Sequence, residues 1–259
     1  MDLFYRKYGE GKPLIILHGV LGISDNWVTY GRRMADKGYE VYIPDQRNHG
    51  HSPHHNTFNY YAMVDDLGEF IDEHDLGSPI IMGHSMGGKV AMRYALENPE
   101  VVKALIVVDT SLRTYMRFGY HRSLIDAMLS VDFEKAENRS DVEEQLKGTI
   151  KDLRIRQFLL KNLYWKEKDR LDWRLNLEAI RENLEAMYDG VFYSTRFDNP
   201  ALFIRGGKSD YILDEDIPPI RKNFPDAKIA RIDNGTHWVH ADEPDEFFEI
   251  TSRFLEKVG

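Results

Sequence analysis

One serine, two late histidines and two aspartates are the residues of this chain best placed to do chemistry. Ser85 stands in Gly83-His84-Ser85-Met86-Gly87, directly after the apolar run Pro79-Ile-Ile-Met82 and directly before a stretch with helical spacing. A serine on so tight a strand-to-helix turn is held in strained φ/ψ, with its hydroxyl exposed over a helix N-terminus. That setting suits nucleophilic attack on an acyl carbonyl. A chance Gly-x-Ser-x-Gly in a loop is the plain alternative. The strand–turn–helix context argues against it, and so do Gly88 and Ala91, which are small enough for a helix to pack tightly behind the turn.

Such a nucleophile needs N–H donors for the oxyanion it creates. One is expected from the backbone of Met86. The other is expected from His18-Gly-Val-Leu-Gly22, which follows the run Leu14-Ile-Ile-Leu17; it is assigned to Val20, with Leu21 as the alternative. His18 is read as a structural histidine tying this loop down. The general base should be a histidine on a loop after the last strand, and His237 in Asn234-Gly-Thr-His-Trp-Val-His240 qualifies, ahead of His240 nearer the final helix. Two aspartates compete for the acid. Asp109 ends the run Leu105-Ile-Val-Val108, and neighbouring strand ends lie only about 5 Å apart. Asp210 follows the run Ala201-Leu-Phe-Ile204. Either would orient the imidazole and stabilise its charged form.

Positioning these groups requires a scaffold, and the apolar pattern specifies one. The runs at 14–17, 41–43, 80–82 and 105–108 are continuous rather than alternating, as parallel strands buried on both faces require. Between them lie helical patterns; in 89–98, Val90, Ala91, Tyr94 and Ala95 make one stripe that Pro99 stops. The β-α-β-α rhythm predicts an α/β fold with a doubly wound, mostly parallel sheet. From about Arg113 to Asp189 no convincing strand is found. That stretch is rich in Glu, Lys, Arg and Leu, with Tyr115, Phe118, Phe158, Tyr164, Trp165 and Trp173 spread through it. It is too long for a loop, and is expected to be a helical cap with its aromatics turned toward the site. The alternation then returns with strands at 201–204 and 229–232, a helix near 214–223, and a terminal helix over 244–258 whose Phe247, Phe248, Phe254 and Leu255 face inward. The expected organisation is a core of 1–112 and 190–259 interrupted by a cap of 113–189.

Composition narrows the field. The 259 residues carry 34 Lys plus Arg against 43 Asp plus Glu, a formal charge of −9, which argues against a nucleic-acid surface. With no cysteine, disulfides, thiolate nucleophiles and Cys-ligated zinc are all excluded. No secretory h-region and no membrane span is found, and the default compartment is the cytoplasm. His49, His51, His54 and His55 crowd one loop but lack a helical i, i+4 frame, so neither a metal nor a cofactor is expected. Arg47 and Asn48 are expected to brace the oxyanion loop, and Asp25 to cap a helix.

Several phrases together resemble one family. His18-Gly-Val-Leu-Gly22, Ser24-Asp-Asn-Trp27, Asp45-Gln-Arg-Asn-His-Gly-His-Ser-Pro53, Gly83-His-Ser-Met-Gly-Gly-Lys89 and Gly235-Thr-His-Trp-Val-His240 resemble the YbfF-like esterases, the small α/β-hydrolase branch related to mitochondrial abhydrolase-domain proteins. Within the expected cap, Arg156-Gln-Phe-Leu-Leu-Lys-Asn-Leu163 and Trp173-Arg-Leu-Asn-Leu177 resemble the same branch, so the likeness spans nearly the whole chain. Many α/β-hydrolases carry the acid in a Gly-x-x-Asp pattern after the strand at 201–204; counted from Gly206 that slot holds Ser209, and counted from Gly207 it holds Asp210. The resemblance to the YbfF-like branch implies Asp109 instead, with Asp210 as the alternative. It also implies hydrolysis of small-molecule carboxylic esters or thioesters, of short to medium acyl length, through a Ser-His-Asp triad and an acyl-enzyme. The same site could serve a ligand sensor without turnover, or carbon–carbon bond or peracid chemistry.

Overall fold

The computed structural model describes residues 1–115 and 118–259, without the side chain of Phe118, so the expectation for that ring lies outside the described residues. In chain order the strands and helices are β1 (Tyr5–Tyr8), β2 (Lys12–Leu17), α1 (Val28–Ala35), β3 (Tyr39–Pro44), α2 (Tyr60–Glu73), β4 (Ile80–His84), α3 (Met86–Glu97) and β5 (Ala104–Val108). Then come α4 (Phe118–Leu129), α5 (Arg139–Lys147), α6 (Leu153–Leu160), β6 (Leu163–Glu167), β7 (Arg170–Trp173) and α7 (Leu177–Glu182). The chain closes with β8 (Ala201–Gly206), α8 (Ile217–Asn223), β9 (Lys228–Ile232), α9 (Val239–Asp242) and α10 (Pro244–Val258).

Seven strands form one sheet in the order β1-β3-β2-β4-β5-β8-β9, parallel except for β1. The continuous apolar runs supply both faces. Leu14 and Ile16 join the layer packed beneath α1 and α10, while Ile15 and Leu17 join the layer on the α2 and α3 side. The same alternation runs through β4, with Ile80 and Met82 on one side and Ile81 on the other, and through β5. In the terminal helix Phe247, Phe254 and Leu255 are buried; Phe248 is half-buried, under the Arg33 guanidinium at 3.9 Å.

Three strands escape an apolar-run reading. β1 is Tyr-Arg-Lys-Tyr at the sheet edge, pairing antiparallel with β3, where a polar sequence suffices because only one neighbour and one face must be satisfied. Within 113–189 the expectation of no strand is corrected by the hairpin β6–β7. It buries Leu163, Leu171 and Trp173, but exposed and charged residues interrupt them, with Trp165 52% exposed and Lys166 paired to Asp172 at 2.7 Å, so no continuous apolar run marks it in the sequence. Asp25 is corrected too. It lies inside the short turn Ser24–Trp27 and pairs with Arg6, while Asn26 Oδ1 accepts from the Ile23 N–H at 2.8 Å and does the capping.

Candidate active site

Parallel strands end together, and their carboxyl ends collect the side chains singled out above. Ser85, between β4 and α3, has φ 53° and ψ −114°, outside the usual basins for a residue with a Cβ. Crowding imposes this turn. A Cβ on Gly83 would sit 2.2 Å from the Gly87 carbonyl oxygen, and one on Gly87 would sit 2.4 Å from that of Leu17. Both glycines are needed for the backbone to fold back on itself beside β2.

His237 Nε2 lies 3.0 Å from Ser85 Oγ, and its Nδ1 lies 2.8 Å from Asp109 Oδ2. With Nδ1–H donated to the carboxylate, the lone pair on Nε2 faces the serine hydroxyl. Asp109, at φ 48° after β5, is fully buried. Its Oδ1 accepts from the Gly206 N–H at 2.9 Å, and Ser209 Oγ donates to its Oδ2. Asp210 is not the residue at Nδ1: it is exposed, and its backbone carbonyl accepts from Arg113. Strand order explains this. β5 lies between β4 and β8, so the carboxylate at its end stands beside the strand that carries the serine.

The second histidine of the late loop does other work. His240 stacks on Trp27 at 4.1 Å with an interplanar angle of 12°, and burial lowers its pKa to about 3. His84 Nε2 donates to the backbone carbonyl of His237 at 2.8 Å, tying the elbow to the loop that carries the imidazole. Burial, reinforced by its histidine neighbours, holds His84 well below the ordinary histidine range. The Tyr211 ring stacks on His237 at 3.7 Å.

Among the described residues no acceptor meets the N–H of Val20 or of Met86, and both residues border a recess of about 30 Å³ beside Ser85. Leu21 differs. At φ 60°, it donates its N–H to His49 Nε2 at 3.1 Å, and its carbonyl accepts from Asn162 Nδ2 at 2.9 Å. Its N–H is therefore already committed. His18 behaves as the structural residue expected: Nδ1–H donates to the Gly19 carbonyl at 2.9 Å and Nε2 accepts from the Gln46 N–H at 2.9 Å. Burial lowers the pKa of His18 to about 4 and of His49 to about 3, so both stay neutral acceptors.

Arg47 and Asn48 do not brace this loop. Arg47 makes a bidentate pair with Asp66 of α2 at 2.5 and 2.7 Å. Asn48, at φ 67°, accepts on its backbone carbonyl from the Asn176 N–H at 3.0 Å. The bracing comes from Gln46, His49 and Asn162, three positions that sequence reasoning missed. Nothing in spacing singles them out, because each acts through one or two contacts to a distant loop. The histidines at 49, 51, 54 and 55 diverge: His49 turns inward, His51 packs on Phe4 at 4.5 Å, and His54 and His55 are exposed.

A cavity of about 560 Å³ opens onto Ser85 and His237, bounded by Val20, Leu21 and Trp238 from the sheet side and by Leu124, Leu153 and Phe158 from helices α4 and α6. Of the aromatics named from the sequence, Phe158 reaches it; Tyr120, which was not singled out there, lines it too. Trp165 faces solvent instead, and Trp173 is buried, donating Nε1–H to the Met128 carbonyl at 3.0 Å.

Residues 12–244 match the family described as alpha/beta hydrolase fold. The chain belongs to that family. It is 38% identical over 267 residues to the sn-1-specific diacylglycerol lipase ABHD11 of Xenopus laevis, an alignment covering 100% of this chain and 85% of that protein. It is 29% identical over 246 residues to Esterase YbfF of Escherichia coli strain K12, covering 95% and 94%. Among solved structures, a marine microorganism esterase superposes with a TM-score of 0.94 at 42% identity, covering 98% of this chain and 99% of that one.

Proposed function

We propose that this chain is a serine hydrolase of carboxylic esters or thioesters with short to medium acyl groups. The observation that carries the reading is the continuous relay from Ser85 Oγ through the His237 imidazole to the Asp109 carboxylate, at 3.0 and 2.8 Å. In this reading His237 Nε2 takes the proton as Ser85 Oγ attacks the acyl carbon. Asp109 holds the tautomer and stabilises the imidazolium, and the N–H groups of Val20 and Met86 receive the oxyanion. The imidazolium returns its proton to the departing alcohol or thiol. Water, activated by the same imidazole, then releases the acyl group from Ser85. The commitment of the Leu21 N–H to His49 favours Val20 as the donor, and the exposure of Asp210 favours Asp109 as the acid.

Residues 113–189 form the cap in this reading, over a core of 1–112 and 190–259. Both connections are held at the base: the Val191 N–H donates to the Leu112 carbonyl at 2.7 Å, and the Tyr115 N–H to the Tyr188 carbonyl at 2.9 Å. Lys89, one turn along α3 from Ser85, donates Nζ–H to the carbonyls of Arg113 and Asp189, bridging the two connections. The apolar walls suit an acyl chain, and the named activities of the relatives, diacylglycerol lipase and esterase, are carboxylic ester hydrolyses.

The test is a panel of p-nitrophenyl esters of increasing acyl length, a diacylglycerol and matched acyl thioesters, with wild type and Ser85→Ala. Wild type is expected to turn over the shorter esters with many equivalents of product, and Ser85→Ala to lose at least about 10³-fold in kcat/KM. Near wild-type turnover in Ser85→Ala overturns the proposal.

A further inference from the structure

Ser85 faces two compartments of unequal size, the cavity of about 560 Å³ and the recess of about 30 Å³. Among the described residues, His237 lines the cavity but not the recess, and Met86 lines the recess but not the cavity. This asymmetry sorts the two halves of an ester. When the tetrahedral carbon collapses, its bond to the alkoxy oxygen or thiol sulfur breaks, and that atom takes the proton from His237 Nε2. The leaving group therefore stands beside the imidazole, in the cavity. The oxyanion faces the Val20 and Met86 N–H groups. The remaining substituent, the acyl chain, is left with the direction of the recess.

Three polar heads around the recess are engaged elsewhere. The Tyr60 hydroxyl donates to the Met187 carbonyl at 2.8 Å, the Tyr115 hydroxyl to the Tyr211 carbonyl at 2.7 Å, and Lys89 Nζ–H to the carbonyls of Arg113 and Asp189. What they leave to a ligand is ring face and hydrocarbon, with Leu184 and Met187 among the walls. A volume of about 30 Å³ holds about two water- or methyl-sized groups. His121 of α4 stands where the compartments meet. It lines both, and its Nδ1 shares a hydrogen bond of 2.9 Å with the Tyr188 hydroxyl, which fixes the ring in place.

We propose that the recess is the acyl subsite, that it restricts the substrate to unsubstituted acyl groups of about two or three carbons, and that His121 is the wall that sets this limit. The inference rests on the serine hydrolase reading and divides its substrate. Apolar walls in the large cavity suit an alkyl chain from either half of an ester, and the position of the proton donor gives them to the alcohol or thiol. The substrate class is thus a short-chain ester of a bulky, apolar alcohol or thiol. Lengthening the acyl group drives it against His121, whereas lengthening the leaving group extends it along Leu124 and Phe158.

Two ester series test this, with hydrolysis followed by proton release and thermal melts for every variant. In p-nitrophenyl esters from acetate to octanoate, kcat/KM is expected to fall at least about tenfold between propionate and hexanoate. In acetates of ethyl to octyl alcohol it is expected to hold or rise. His121→Ala and Leu184→Ala, each of which enlarges the recess, should raise the hexanoate-to-acetate ratio at least about fivefold with no matching change along the alcohol series. Hexanoate accepted within about threefold of acetate by wild type, or a ratio unmoved in both variants, overturns this proposal and leaves the hydrolase standing. Near wild-type turnover in Ser85→Ala removes the hydrolase reading and this proposal with it. A variant that does not fold is set aside, and the two wild-type series then decide by themselves.

Discussion

Four buried histidines make this fold acid-labile through their neutrality. His18, His49, His84 and His240 are all buried or half-buried, and burial depresses each, to about 4 for His18, about 3 for His49 and His240, and well below the ordinary range for His84. In the unfolded chain each titrates near pH 6.5. A base whose folded pKa is lowered binds fewer protons when native, so stability falls as pH drops below the unfolded value and levels off only below the folded one. Between pH 7 and pH 5 that loss is about 2 kcal/mol per histidine, or roughly 7–8 kcal/mol for the four, against a typical total of about 5–15 kcal/mol. Urea unfolding at pH 7.0, 6.0, 5.5 and 5.0 measures it. Near pH 5.5 the slope of unfolding free energy with pH should correspond to between three and four protons, and His49→Gln should remove about one of them. A wild-type slope of about one proton or less refutes the reasoning. Activity should fall with it, because a protonated His49 can no longer accept from the Leu21 N–H and the loop proposed to receive the oxyanion loses that anchor.

Further outcomes follow from the same geometry. Asp109→Asn should lower kcat/KM by about 10³- to 10⁴-fold while Asp210→Asn stays within about threefold of wild type; the opposite pattern in ester assays reassigns the acid. Lys89, depressed by burial to about 7, binds less proton in the native state between about pH 7 and 10.5, so it makes stability rise with pH across that window. Lys89→Met should flatten the rise by nearly one proton in denaturant titrations between pH 7.5 and 9, and an unchanged slope counts against the native amine being neutral there. Gly87→Ala, whose Cβ would sit 2.4 Å from the Leu17 oxygen, should cost about 1–3 kcal/mol in thermal unfolding.

What could be read from the sequence follows its physical strength. Strands buried on both faces write long apolar runs, so the parallel sheet was plain at β2 to β5, and the glycine-flanked turn at Ser85 was plain because crowding permits little else. The edge strand β1 is only half-buried, and in the hairpin β6–β7 the buried Leu163, Leu171 and Trp173 are separated by charged or exposed residues, so neither writes a continuous apolar run. Asp109 and Asp210 could not be separated by spacing, since the difference lies in which strand stands next to β4. The bracing contacts of Gln46, His49 and Asn162 were invisible for a similar reason: each joins segments far apart in the chain.

Labelling kinetics with a fluorophosphonate probe, followed by peptide mass mapping, tests the central claim most directly. The account predicts one phosphonyl group per chain, carried by Ser85, with labelling at least about 10³-fold slower in His237→Ala. An adduct on another residue, or a His237→Ala variant labelled as fast as wild type, contradicts it.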